Sequence, residues 1–260
     1  MNQNYFITGT DTGVGKTHIT ALLLAELRRR GLPAAGFKPI ACGTGGRADA
    51  RTYRKLMRNE VPLDVINPVY LRHPVAPSVA AKLEGSHIDT DRIQSIFRVL
   101  AIAFRPVLVE GAGGLLVPIK KMSFRACEGV ESDETPPRQS LSFRGETLRQ
   151  AQGDKVKKTR PYFVADLARQ LDLPVIIVAR LGLGTLNHTL LTVRQAQAMK
   201  LKVAGVILND TTGKRGLAER TNVKAIAELT GVPLLGVVPH GDRGKDSAVR
   251  AIVDRLYGER

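Results

Sequence analysis

The sequence has no tryptophan, aromatic residues make up only 5% of its 260 positions, and there are two cysteines, Cys42 and Cys127. Scarce aromatics remove the stacking platforms that single-stranded nucleic acid requires. Two cysteines make no disulfide framework, so a reducing compartment is expected. No run of about 18 apolar residues occurs, which leaves out a membrane-spanning helix. The chain enters a β-favouring run at once, without the basic and apolar regions of a leader, and the expectation is a cytoplasmic protein with no membrane partner. A Gly-x-Ser-x-Gly elbow is missing, so serine-hydrolase chemistry has no support. His73, His87 and His240 have no metal-ligand spacing among them. Acidic residues are the minority, 24 against 39 Lys and Arg, for a formal charge of +15. That excess raises a nucleic-acid hypothesis, but the basic residues are spread along the chain. Their densest cluster, Arg28-Arg29-Arg30, stands before Gly31 in a helix's last turn, where cations suit the dipole. No nucleic-acid partner is expected; anionic substrates are.

What is present begins at Gly9-Thr10-Asp11-Thr12-Gly13-Val14-Gly15-Lys16-Thr17. The run Tyr5-Phe6-Ile7-Thr8 precedes it, and apolar residues at helical spacing, Ile19 to Leu27, follow. Strand, glycine loop and helix are the context of a phosphate-binding loop. Glycines let backbone N–H groups turn inward on an anion, and the helix N-terminus adds partial positive charge. Lys16 would reach the β- and γ-phosphates as a point charge, and the Thr17 hydroxyl would join the shell of a Mg²⁺ ion. The spelling departs from G-x-x-x-x-G-K-S/T, because the first glycine is Gly9 where the motif would place it at Thr10. Partition and septum-site ATPases, which also use a variant loop, carry a lysine four residues before the Gly of Gly-Lys-Thr. That position is Asp11 here, which argues against that branch.

Apolar strands recur down the chain: Ala34 to Ile40, Val107 to Glu110, Val175 to Ala179, Val203 to Leu208 and Leu234 to Val238. The later ones are apolar throughout rather than alternating, as when helices cover both faces of a sheet. Helical patterns lie between them, at Ala48 to Met57, Ile93 to Leu100, Leu186 to Met199 and Glu219 to Leu229, and Ser247 to Tyr257 closes the chain. The predicted fold class is α/β: a doubly wound, mostly parallel sheet flanked by helices, of phosphate-loop NTPase type, in one domain over residues 1–260. Val61 to Val79, punctuated by four prolines, reads as loop, and Gly111-Ala112-Gly113-Gly114 as a second glycine loop. From about 120 to 159 the chain is polar, with Pro136-Pro137 and no sustained period. It is expected to be a disordered surface insertion, with a short helix around Thr147 to Gln152 as an option.

In an open α/β sheet, ligands sit beyond the carboxyl ends of the strands. Those ends carry Lys38, Glu110, Asn209 and Pro239. A carboxylate closing an apolar strand, as Glu110 does, suits a Mg²⁺ ligand of a nucleotide enzyme. Lys38, pinned by Pro39, is placed to neutralise charge on a transferring phosphoryl group. Asp49 reads equally as another metal carboxylate or as a helix-start aspartate. Asn209 offers a donor and an acceptor that suit a purine edge, with turn initiation by Asn209-Asp210 as the alternative.

With the phosphate loop, Gly36-Phe37-Lys38-Pro39, Val109-Glu110-Gly111-Ala112-Gly113-Gly114, Gly182 to His188 and Leu208-Asn209-Asp210 resemble the ordered motifs of the dethiobiotin synthetase family. The resemblance runs from Tyr5 to about Ser247, interrupted by the insertion. It implies ATP-dependent ring closure in biotin synthesis, from 7,8-diaminononanoate, CO₂ and ATP to dethiobiotin, ADP and phosphate. Carried over, Lys38 and Lys16 become the catalytic lysines, and Thr17, Asp49 and Glu110 the Mg²⁺ ligands. ATP would be held by Gly13, Val14, Gly15, Lys16, Thr17, Asp49, Glu110, Gly111, Ala112, Gly113, Asn209 and Asp210. Pro239, His240, Gly241 and Asp246 would complete the base pocket. Cys42, where the family usually has serine, and Gly184, Thr185, Leu186 and Asn187 would bind the amine substrate. The last four would do so across the two-fold axis of a homodimer. The rivals are an amidotransferase-type ligase of the cobyrinic acid family, whose glutaminase domain this chain has no room for, and a partitioning-type nucleotide switch.

Overall fold

A computed structural model describes residues 3–120, 160–241 and 247–258. The chain starts with β1 (Tyr5–Gly9), the phosphate loop and α1 (Lys16–Arg29), then β2 (Ala35–Phe37) and β3 (Ile40–Cys42). Next come α2 (Ala48–Leu56), α3 (Leu63–Ile66), β4 (Val69–Leu71) and α4 (Pro77–Leu83). Helix α5 (Thr90–Ala103) leads into β5 (Val107–Gly114), and β6 (Pro118–Lys120) pairs antiparallel with β7 (Tyr162–Phe163). From there α6 (Val164–Gln170), β8 (Val175–Arg180), α7 (Thr185–Ala198) and β9 (Val203–Asn209) alternate. They are followed by α8 (Leu217–Leu229), β10 (Leu234–Val238) and α9 (Ser247–Tyr257).

Six strands form one sheet in the order β10-β9-β8-β1-β5-β2, every neighbouring pair parallel. Strand β1 lies between β5 and β8, so the winding reverses beside it and opens a crevice at its carboxyl end. The apolar runs explain why these segments become the inner strands. Phe6, Ile7, Leu108, Val109, Ile176, Ile177, Val178 and Ala179 expose no surface. Burying each of the larger ones stabilises the fold by about 1.5–3 kcal/mol, so the strand ends are held on a rigid base.

Several sequence expectations change. The expected strand Ala34 to Ile40 is two: Pro39 donates no hydrogen bond, and the chain leaves the main sheet after Phe37 to pair β3 with β4. The passage read as loop holds α3, β4 and the start of α4. Gly111 to Gly114 continues β5 instead of forming a glycine loop. Helix α6 has no counterpart in the sequence reading. Lys120, at the edge of the expected insertion, belongs to β6; the rest of that segment, with Thr147 to Gln152 and Cys127, lies outside the described residues.

The basic cluster at the end of α1 is a paired helix terminus. Arg28 meets Glu60 at 2.6 Å, Arg30 meets Asp254 at 2.6 Å, and Glu26 accepts from Arg29 Nε at 2.7 Å and Arg30 Nε at 2.8 Å. Hydrogen bonds from Arg29, then from Arg30, outweigh burial and hold the Glu26 carboxyl at about 2, below its ordinary 4.5. A carboxylate depressed in the folded state contributes stability that is complete above its unfolded pKa and lost as pH falls through the folded one. Unfolding free energy is therefore expected to fall by about 1–2 kcal/mol from this source between about pH 5 and pH 2, allowing for the exposed Arg29. Glu26→Gln should flatten that limb of a urea-unfolding pH series; a limb as steep as in the unaltered chain would contradict the assignment.

Candidate active site

The phosphate loop folds back on its own strand. A Cβ at Gly9 would lie 2.7 Å from Val14 Cγ2 and 2.9 Å from the Asp11 carbonyl oxygen, which is why a glycine one residue early serves here. Gly15 caps α1 at φ +92°, and a Cβ there would stand 2.0 Å from Asn209 Nδ2. That amide, from the end of β9, donates to the Val14 carbonyl at 3.0 Å and braces the loop. Lys16 Nζ donates to the Asp11 carbonyl at 3.0 Å. Burial holds the Lys16 pKa below the ordinary lysine value; Glu110 opposes this and the charge of Lys38 adds to it.

The charged groups meet above the sheet, although Glu110, expected to close its strand, lies inside β5 because the strand runs on to Gly114. Glu110 Oε1 accepts from Lys38 Nζ at 2.7 Å and from Thr17 Oγ1 at 2.9 Å, and Lys38 Nζ also meets Asp49 Oδ2 at 2.8 Å. Lys38 arrives from the break after β2, Asp49 from the first turn of α2, and Glu110 from β5. Glu110 is 1% exposed and Lys38 6%. Burial pushes Lys38 down, but Glu110 and Asp49 outweigh it and leave the ammonium above its ordinary value. The phenol of Tyr53, on α2, donates to Glu110 Oε2.

A cleft of about 420 Å³ opens beside Lys38, lined among others by Thr12, Cys42, Asp49, Ala112, Gly113 and the Pro74–Pro77 segment. Burial chiefly, with Glu84 adding, pushes the Cys42 thiol up to about 11, so at neutral pH it is an uncharged, weak donor. Thr17, Asp49 and Glu110 offer oxygen atoms alone, the donor set of a hard divalent cation. Among the described residues no group of three or more His, Cys, Asp or Glu is placed to hold a metal. Mg²⁺ needs no such group: one or two carboxylates suffice when substrate phosphates and water complete its shell, so these three residues fit it.

The structure thus joins Lys16, Thr17, Lys38, Asp49 and Glu110, and sets Cys42, Ala112 and Gly113 on the cleft wall. Gly111 is buried beneath it, where a Cβ would meet Phe6 and Val164. Asp210 holds its own turn together, accepting from the amides of Thr212 and Gly213 and from Arg215 Nη1 at 2.5 Å. Burial alone would raise its pKa, yet Arg215 and those amides hold it below the ordinary value. Gly213 packs on the His240 ring, so the turn after β9 and the Pro239-His240-Gly241 segment converge. Gly184 caps α7, and none of Gly184, Thr185, Leu186 and Asn187 lines the Lys38 cleft; Thr185 instead faces Thr10 to Thr12 of the loop. Asp246 lies outside the described residues. Tyr53 and Thr12 escaped the sequence reading, although Tyr53 stands four residues after Asp49, on the same helix face.

A sequence-family model described as an AAA domain matches residues 3–126 and 151–245, with 127–150 between the two stretches. The chain is 35% identical over 247 residues to the ATP-dependent dethiobiotin synthetase BioD of Thermodesulfovibrio yellowstonii, covering 92% of this chain and 90% of that one. It is 33% identical over 255 residues to the protein of that name from Akkermansia muciniphila, covering 98% and 100%. Among solved structures it resembles the cell division ATPase MinD of Pyrococcus furiosus at a TM-score of 0.53 and 16% identity, over 98% of each chain, a likeness of fold alone.

Proposed function

The chain belongs to the ATP-dependent dethiobiotin synthetase family, and we propose that its activity, ATP-dependent formation of dethiobiotin in biotin biosynthesis, runs through a carbamate activated at the Lys38 cleft. One observation carries this reading: a buried ammonium between two carboxylates, on the wall of a cleft and joined through Glu110 to the threonine of a phosphate loop.

The substrate is 7,8-diaminononanoate. One of its amines, as free base, adds to CO₂ and loses a proton, giving a carbamate. A carbamate oxygen then attacks the γ-phosphorus, ADP leaves, and a carbamic-phosphoric anhydride results. The second amine attacks the anhydride carbon, phosphate departs with the bridging oxygen, and the cyclic urea closes. Carbamate and triphosphate are both anions, so their approach in line needs cations on both sides. Lys16 takes the phosphate side and Lys38 the carbamate side. A Mg²⁺ ion carried by ATP and held by Thr17, Asp49 and Glu110 supplies further charge on the phosphate oxygens.

Asn209 Nδ2 gives one N–H to the Val14 carbonyl, which leaves its second N–H and its side-chain oxygen for the adenine contact, with Pro239, His240 and Gly241 as the wall beside it. The position of Gly184 to Asn187 away from the cleft supports a homodimer in which each chain offers these residues to its partner's substrate. Leu116 and Leu191, 51% and 58% exposed, line a second opening beside the loop and supply apolar surface for that contact.

Incubated with ATP, Mg²⁺, bicarbonate and 7,8-diaminononanoate, the purified chain is expected to release ADP and dethiobiotin in equal amounts. ADP release without dethiobiotin would remove the proposed activity.

A further inference from the structure

We propose that Tyr53 is a positioning residue for the metal site: its hydroxyl anchors Glu110 Oε2 so that Oε1 is presented to Thr17, Lys38 and the ion. The inference rests on the reading of Thr17, Asp49 and Glu110 as Mg²⁺ ligands, and it adds a residue that touches neither ion nor nucleotide.

Three observations carry it. The ring exposes no surface and packs against β2, where a Cβ at Gly36 would lie 2.8 Å from Tyr53 Cγ. A leucine or phenylalanine would fill that space without bringing in a buried polar group. The hydroxyl therefore costs desolvation unless it is bonded; it donates to Glu110 Oε2, and the Thr20 side chain is a second hydrogen-bond neighbour. Finally, Tyr53 follows Asp49 by one helical turn on α2, so a single rigid element sets both the second carboxylate and the group that orients the first.

The consequence for Glu110 is a carboxylate with one available orientation. Oε1 already accepts from Lys38 and Thr17, and Oε2 accepts from the hydroxyl of a fully buried ring. Outer partners that fix a ligand in this way typically change metal affinity or activity by about 10- to 100-fold when removed. A tyrosine here does for a carboxylate ligand what a carboxylate commonly does for a histidine ligand.

Tyr53→Phe keeps the ring on Gly36 and removes the hydroxyl. ATP affinity is measured by calorimetry with EDTA and with Mg²⁺, and the thermal midpoint is taken on the same samples. The expected result is unchanged affinity in EDTA, with the tightening caused by Mg²⁺ reduced by about tenfold. A second variant guards against a folding effect: in a Glu110→Gln background, adding Tyr53→Phe should alter the Mg²⁺ effect by less than about twofold, because the hydroxyl acts through Glu110. A lower thermal midpoint with the full Mg²⁺ effect retained would make Tyr53 a packing residue and overturn the inference. An unaltered chain whose ATP affinity ignores Mg²⁺ would overturn it too. Neither measurement uses the amine substrate, so a chain that binds Mg²⁺ and ATP but forms no dethiobiotin would sink the proposed activity alone.

Discussion

Lys38→Ala is expected to lower kcat by about 10²- to 10³-fold while the Kd for ATP changes by no more than about threefold. The two effects separate because Lys38 lines the cleft beside the phosphate loop, whereas the proposed reaction assigns the nucleotide phosphates to Lys16 and the loop amides. A cation that acts only on charge developing between carbamate and γ-phosphate is absent from the ground-state affinity for ATP. The variant should also be less stable, since Glu110 at 1% exposure would lose its ammonium partner. Breaking one side of a buried pair costs about 3–5 kcal/mol, the upper end applying where neither group reaches water. Single-turnover kinetics, nucleotide calorimetry and urea unfolding on one preparation separate these outcomes. Equal losses in ATP affinity and turnover would move Lys38 from the reacting end of the cleft to the nucleotide.

Glu110→Gln should be the other severe change. The amide keeps the shape but removes the charge that Lys38, Thr17 and Tyr53 are arranged around. Turnover is expected to fall by about 10²-fold or more, as for loss of a preorganised charged group. Stability should fall by about 3 kcal/mol, because Lys38 retains Asp49, a partner about a third exposed. The double variant Lys38→Ala/Glu110→Gln should then be more stable than the sum of the singles implies, by about 1–3 kcal/mol, since neither charge is left alone. Additive losses would mean that the two side chains do not share a site.

The residues gathered around Lys38 were legible because most of them stand where an apolar run gives way to a polar or glycine-rich one, although Glu110 lies inside β5 and not at its end. Lys16 and Thr17 open a helix, and Lys38 and Glu110 end apolar runs, so residue type and position pointed the same way. The apolar stretches Val175 to Ala179 and Leu234 to Val238 became β8 and β10 almost to the residue, since strands buried on both faces need no other signal. What was not legible depends on distant partners. Helix α3 and strand β4 are four and three residues long, too short for a period. They are fixed by Asn67 Nδ2 donating to the Lys38 and Val69 carbonyls and by the Lys38 amide donating to Ile66. Gly111 to Gly114 carries the residues of a loop, but the missing Cβ at Gly111 admits Phe6 and Val164 and lets the strand run on. Asn209 was read by its chemistry as a purine contact, and nothing in the sequence signalled that one of its amide N–H groups also braces Val14, a partner 195 residues earlier in the chain.

In the proposed reaction a carbamate oxygen, and no other nucleophile, takes the γ-phosphoryl group beside Lys38. Running the reaction on ¹⁸O-labelled CO₂, over a time shorter than exchange with water, tests it directly. One labelled oxygen should appear in each phosphate released, passed there through the bridging position of the anhydride. Unlabelled phosphate, formed alongside dethiobiotin at the same rate, would show that the ring closes by another route.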